Sequence, residues 1–230
     1  MRDFIVKIAR KLGLYKAIVS LINDLKFRIQ ARRMKKDGLR MLKAADEAVE
    51  GSSVRPFLIF GSLLGAYRDH GFISYDPDID LAVVDDGTLP DMAALLGRNG
   101  FELIRQIYFR DDNTVLEETY RYGKLQLDIF RMFPVGDDLY VYCARRHEYK
   151  DWKEANASDG FPCVHYHVPN CEFHRQDFLG LKIYMPDLTD RWLRDIFSDT
   201  YMTPIRNYKP EDHVTTMQKT DRRCYRRLDF

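Results

Sequence analysis

The chain of 230 residues is 45% hydrophobic and 13% aromatic, enough to bury one substantial core, and its mixed-sign charge argues against a disordered or collagenous protein. A formal net charge of +1 hides an asymmetry: Met1 to Lys36 holds eleven Lys or Arg against Asp3 and Asp24, so this arm carries +9 and the remainder −8. A basic arm on an acidic body suits contact with an anionic surface such as phospholipid head groups or nucleic acid, and a solvated basic helix is the plain alternative. No apolar run reaches the roughly 18 to 20 residues that cross a bilayer, and Lys7, Arg10, Lys11 and Lys16 interrupt the nearest candidate. With no secretion signal and no C-x-x-C pair, Cys143, Cys163, Cys171 and Cys224 are expected to be reduced thiols in a cytosolic protein.

In chain order, Phe4, Ile8, Leu12, Tyr15, Val19, Ile22, Leu25 and Ile29 recur at helical spacing, broken weakly at Gly13. They predict an amphipathic basic helix or pair that lies in a membrane interface or packs on the main domain. A second helix is predicted over about Lys36 to Glu50, then a short buried strand over Pro56 to Phe60 that ends at Gly61-Ser62, with Leu63 to Tyr67 opening another helix. Asp78 to Val84 alternates like a strand and Asp91 to Arg98 reads as a helix. Phe101 to Phe109, Thr114 to Arg121 and Leu125 to Phe133 read as consecutive strands of a mixed or antiparallel sheet. Beyond Pro134 come short strands, a polar loop over Asn156 to Gly160, a helix over Leu188 to Phe197 capped by Asp187, and a polar tail from Lys209. The expected organisation is a helical extension over 1–50, an α/β domain over 51–208 and a tail over 209–230.

Residues two apart on a strand share a face and sit about 6.6 Å apart, so Asp78 and Asp80 aim two carboxylates at one spot while Ile79 and Leu81 enter the core. Two such carboxylates repel unless a cation lies between them, and a hard divalent ion such as Mg²⁺ or Mn²⁺, shared with substrate phosphates, fits the pair. Asp76 extends the parity, with Pro77 keeping its surroundings extended. Asp128, in Leu125-Gln-Leu-Asp128-Ile-Phe130, is positioned by parity to join them. Gly61-Ser62, where a strand hands over to a helix, offers free N–H groups as a phosphate seat. A calcium loop is excluded, because Leu81 stands at the sixth position where Gly is needed and Gly87 at the twelfth where Glu is needed.

The run Gly61-Ser-Leu-Leu-Gly-Ala-Tyr-Arg68-Asp-His-Gly71-Phe-Ile-Ser-Tyr-Asp76-Pro-Asp78-Ile-Asp80 resembles the signature of the LicD and fukutin-type phosphotransferases, a branch of the nucleotidyltransferase fold. Leu127-Asp128-Ile-Phe130 is similar to that family's third-carboxylate motif, and Phe197-Ser-Asp-Thr-Tyr-Met-Thr-Pro204 to its closing motif. The resemblance covers roughly Pro56 to Pro204. It implies transfer of a phospho-alcohol, such as phosphocholine, phosphoribitol or phosphoglycerol, from a CDP-activated donor to a glycan or lipid-linked oligosaccharide, with CMP leaving. On that reading Asp78 and Asp80 hold the metal and Asp128 completes the site or helps deprotonate the acceptor hydroxyl. Gly61 and Ser62 seat phosphate oxygens, Asp76 supports the site and Arg68 neutralises developing charge. The chain departs from the family where Ser74-Tyr75 replaces a frequent Pro-Trp, where Pro77 sits inside the acidic run and where Ser198 replaces a usual Gly. These differences bear on the nucleotide pocket and on the identity of the alcohol.

Other motifs have blander readings beside the functional ones. Cys163, His165 and His167, with Cys171 and His174, are too loosely spaced for a structural zinc site, so surface or core roles are favoured. Lys124 shares the parity of Asp128 but suits a strand edge. Arg222-Arg223 and Arg226-Arg227 either bind an anionic acceptor or lipid or form a solvated tail. Alternative functions are nucleotidyl transfer with pyrophosphate release, a glycosyltransferase, disfavoured by the Gly61-Ser62 element, and an inactive membrane-recruited module. The working expectation is a cytoplasmic enzyme at the inner face of the membrane, with no nucleic-acid partner.

Overall fold

The structure is a computed structural model and describes residues 15–145, 152–205 and 216–228. One helix, α1 (Tyr15–Ala48), replaces the two expected segments. It continues through Gly38 because the missing side chain there lets Phe72 and Met34 close in; a Cβ would lie 2.6 Å from Met34 Sδ. Met34, Met41, Leu42 and Ala45 of α1 are buried in the main core. Earlier in the helix Leu25 and Ile29 are exposed, so the domain does not cover the apolar stripe at those positions. The stripe residues before Tyr15 lie outside the described residues.

After α1 the chain forms β1 (Phe57–Leu58), α2 (Phe60–Leu64) running into a π turn (Gly65–Asp69), β2 (Ile79–Val84), α3 (Met92–Gly97), β3 (Glu102–Phe109), β4 (Val115–Tyr122), β5 (Leu125–Val135), β6 (Asp138–Ala144), α4 (Trp152–Ala157), β7 (Phe161–Pro169), β8 (Phe173–Phe178), β9 (Leu181–Pro186), α5 (Thr189–Phe197) and β10 (Gln218–Arg227). The fold is α/β, with one large mixed sheet, few helices and a long N-terminal helix.

The ten strands run in the order β4-β3-β10-β7-β6-β5-β2-β1-β9-β8, and β4 also pairs with β5. β5 therefore closes a ring of six strands, from which β2, β1, β9 and β8 extend as a flange. β2 lies parallel to β5 and β1 parallel to β9, while the other pairs are antiparallel. In the flange Phe57 stacks on Phe173 with ring centroids 4.1 Å apart, and Trp192 of α5 meets both edge-on at 5.8 Å. Trp192 is fully buried and its indole N–H donates to Pro169 O at 2.9 Å, which satisfies the one polar atom it carries inside.

Several expected boundaries move. Phe60 opens α2 with φ +45 instead of ending a strand, its ring held edge-on by Phe130 at 4.9 Å. Asp187 does not cap α5; its carboxylate takes His174 Nδ1 at 2.7 Å, and Leu188 holds the cap position without a side-chain bond. Asn156, expected in a loop, belongs to α4. In the expected polar tail, residues 218–227 form β10, between β3 and β7.

Candidate active site

β2 places the acids. Ile79 and Leu81 point into the core while Asp80 faces the other way, and the turn and bend before the strand, which starts at Ile79 and not at Asp78, bring in Asp76 and Asp78. Oxygen atoms of Asp76, Asp78 and Asp80 lie within 4.8 Å of one another. Asp80 sits directly opposite Asp128 on β5, Asp128 opposite Thr119 on β4, and Thr119 opposite Arg105 on β3. One row across four strands thus reads Asp80, Asp128, Thr119, Arg105, all on the same face.

Arg105 NH2 lies 3.4 Å from Asp128 Oδ2 and forms a shorter ion pair with Glu117. Five carboxyl groups, Asp76, Asp78, Asp80, Asp128 and Glu117, share this face with that single hydrogen-bonded guanidinium. Burial is the main reason the acids resist ionisation. It pushes Asp78 up to about 8, with Asp128 and Asp76 adding repulsion, and it raises Asp80 well above the carboxylate range, helped by Asp78. Glu117 is pushed to about 7 by burial and by Asp128, against the pull of Arg105. Asp76 and Asp128 are raised by burial as well. Crowded oxygen donors of one charge are the donor set that hard divalent cations prefer, so Asp76, Asp78 and Asp80 fit Mg²⁺ or Mn²⁺.

Gly61 and Ser62 shape the acidic site. A Cβ on Gly61 would lie 2.4 Å from Asp76 Oδ2, so the glycine makes room for the Asp76 carboxylate. Ser62 is buried, and its hydroxyl oxygen accepts the backbone N–H of Asp80 at 2.9 Å, tying α2 to the acidic strand. Arg68 pairs with Asp69 at 2.7 Å, reaches Tyr201 O at 3.3 Å, and lines a cavity of about 290 Å³. Gly61, Asp76, Tyr75, Phe197 and Tyr201 share that lining, so the cavity opens on the Asp76 side of the acids. Ser198, in the motif that bounds it, adopts φ 82 and ψ 171, a region essentially reserved for glycine.

Arg105, Glu117 and Thr119 escaped the sequence reading. Glu117 and Thr119 share strand parity, which was visible, but the β4–β5 register brings them to Asp128, and Arg105 reaches them across a bulge in the β3–β4 pairing between Leu103 and Arg105. Lys124 is exposed in the β4–β5 turn, away from the acids. The loose Cys/His set does not converge among the described residues. His165 and His167 stack on Tyr140 instead, at 4.7 and 5.5 Å, while His174 groups with Glu172 and Asp187.

Residues 53–186 match the family model described as LicD/FKTN/FKRP, nucleotidyltransferase domain. The chain belongs to this family. Mouse (Mus musculus) ribitol-5-phosphate transferase FKTN is 24% identical over 182 residues, covering 78% of this chain and 36% of that protein. An uncharacterised Caenorhabditis elegans protein is 38% identical over 80 residues, 34% of this chain and 21% of its own length. The chain thus spans about a third or less of these relatives. Among the described residues no helix is long and apolar enough to cross a membrane.

Proposed function

We propose that this LicD-family domain transfers a phospho-alcohol from a CDP-activated donor to a hydroxyl of a glycan or lipid-linked oligosaccharide, releasing CMP. The observation that carries the reading is the crowding of Asp76, Asp78 and Asp80 within 4.8 Å, directly beside a cavity lined by aromatic rings and Arg68. Mg²⁺ or Mn²⁺ held by these carboxylates would neutralise the donor's diphosphate. Tyr75, Phe197 and Tyr201 in the cavity suit the faces of a nucleoside, and Arg68, already balanced by Asp69, orients its phosphates. Asp128, flanked by Arg105, faces the acids from the neighbouring strand, the position from which a carboxylate takes the acceptor's proton. The chain's part is positioning and charge stabilisation of an in-line displacement. The similarity to a ribitol-5-phosphate transferase supports phosphoribitol as the first alcohol to test.

Thermal unfolding with and without Mg²⁺, across CDP-ribitol, CDP-glycerol, CDP-choline, CMP and ATP, tests this reading. A ligand at 100 times its dissociation constant stabilises by about 2.7 kcal/mol. One CDP-alcohol should raise the midpoint only with metal and only in the wild type, not in Asp78→Asn or Asp80→Asn. A response to ATP alone points to nucleotidyl transfer, and no response from folded protein points to an inactive module.

The basic arm is proposed to hold the domain at the cytoplasmic face of a membrane through anionic lipid, a role that exposed Leu25 and Ile29 support. Co-sedimentation with vesicles that ignores both anionic lipid and deletion of residues 1–36 would refute it.

A further inference from the structure

One cation on the acidic face, Arg226, forms no ion pair within 4.0 Å among the described residues, although the charge of Glu117 reaches it. Arg226 on β10 lies opposite Ile107, Ile107 opposite Glu117, and Glu117 opposite Phe130. Phe130 follows Asp128 by two positions on β5, so Arg226 belongs to the row next to the one holding Asp128 and Arg105, on the same face. Its guanidinium carbon sits 5.1 Å from the centre of the Trp152 ring, and its Nε is buried with no hydrogen-bond partner among the described residues.

The neighbouring arginines are committed elsewhere. Arg105 pairs with Glu117 and Asp128, Arg222 with Asp111 and Asp112, and Arg223 with Asp159, while Arg227 donates to Gln106. Arg226 owes its place to its backbone. Its N–H donates to Asn156 Oδ1 at 3.0 Å and its carbonyl accepts from Asn156 Nδ2. Burial and the charge of Arg105 make its own positive charge harder to sustain and Glu117 offsets them only in part, a balance that an arriving anion would improve. A buried Nε–H held in place without an acceptor is costly unless a ligand supplies one.

We propose that Arg226, with Arg105, seats an anionic group of the acceptor on the Asp128 side of the carboxylates, so that the acceptor carries a phosphate or a carboxylate. The inference rests on the transferase reading for calling the ligand an acceptor. The seat itself rests on Arg226. β10 lies beyond residues 53–186, outside the part of the chain that matches the family. Two features support the direction of approach. The cavity beside Asp76 lies on one side of the acids, and its lining includes neither Asp128, Arg105 nor Arg226. An in-line displacement brings donor and acceptor from opposite sides.

The test is calorimetric titration of the full chain, saturated with Mg²⁺ and CMP, with glycerol 3-phosphate, glucuronate and glycerol as probes. Glycerol 3-phosphate, glucuronate or both should bind and glycerol should not, which tells phosphate from carboxylate. Arg226→Gln should weaken anion binding by about tenfold or more, the scale of a lost charge-assisted bond, while Arg226→Lys keeps most of it. Binding of Mg²⁺ and CMP to Arg226→Gln should stay at the wild-type level. Both variants keep the backbone bonds to Asn156 and should remain folded, as their thermal midpoints will show. Wild-type anion affinity in Arg226→Gln, no anion binding by the wild type, or equal binding of glycerol overturns the proposal. If Mg²⁺ and CMP fail to bind while anions still bind through Arg226, the donor reading falls and the anion seat stands.

Discussion

Replacing Asp78 with Asn should stabilise the metal-free protein at neutral pH. Burial, with repulsion from Asp128 and Asp76, holds the folded-state value of Asp78 at about 8 against an ordinary 3.8. Between those values the folded state keeps a proton that the unfolded chain has released, so stability falls as pH rises through this window and the loss is complete above it. From pH 3.8 to 7, at about 1.36 kcal/mol per unit, Asp78 alone costs on the order of 3–5 kcal/mol, a large part of a typical folding free energy. Asn keeps the shape, removes this titration and relieves Asp80, which Asp78 also repels. Thermal unfolding followed by circular dichroism, in EDTA between pH 5 and 8, reads the effect. Asp78→Asn should unfold roughly 5–10 °C above the wild type at pH 7.5, with the gap shrinking toward pH 5. Saturating Mg²⁺ should reverse the order, because only the wild type retains the full donor set. A variant that is less stable than the wild type in EDTA at pH 7.5, or a gap that ignores pH, would refute the reasoning.

Ser198→Gly should raise the unfolding midpoint by about 2–4 °C, since relief of the strained φ of 82 outweighs the lost hydroxyl contact to Thr200 by about 1 kcal/mol. A lower midpoint would show that the hydroxyl contact dominates. Gly61→Ala should fold but lose Mg²⁺-dependent stabilisation, because its Cβ displaces the Asp76 carboxylate from a site 2.4 Å away; an unchanged metal response in unfolding scans would rule out a metal role for Asp76. Trp192→Ala should cost about 3–5 kcal/mol, measured by denaturant unfolding, as it empties the fully buried centre of the flange. A loss under about 1 kcal/mol would show that the core refills around it.

The acidic strand was readable because a period of two survives any tertiary context: Ile79 and Leu81 had to be buried, so Asp78 and Asp80 had to face together. Asp128 followed from the same parity. Its partner across the strand did not, since the parallel register that sets Asp80 beside Asp128 is fixed by strands far apart in sequence. Arg105 was hidden by the bulge that shifts β3 against β4, and Glu117 by the long-range β4–β5 register that brings it beside Asp128. β10 was missed for a different reason. Its Gln-Lys-Thr-Asp-Arg-Arg-Cys-Tyr-Arg-Arg sequence shows little apolar alternation, because arginine–ring stacking takes the place of aliphatic contact. Arg222 lies 3.5 Å from the Phe109 ring centre, Arg110 3.6 Å from that of Tyr225, and Arg227 4.6 Å from that of Tyr108. Composition marks such a segment as tail, and only its neighbours make it a strand.

Titration with Mn²⁺ at pH 7.5, with free ion followed by electron paramagnetic resonance, tests most directly whether Asp76, Asp78 and Asp80 act together as a cation site. Binding by the wild type should be saturable, displaced by Mg²⁺, tightened by a CDP-alcohol and weakened by about a hundredfold or more in Asp80→Asn. Equal Mn²⁺ binding by the wild type and Asp80→Asn, or none by folded wild-type protein in the presence of a CDP-alcohol, would contradict a shared cation site.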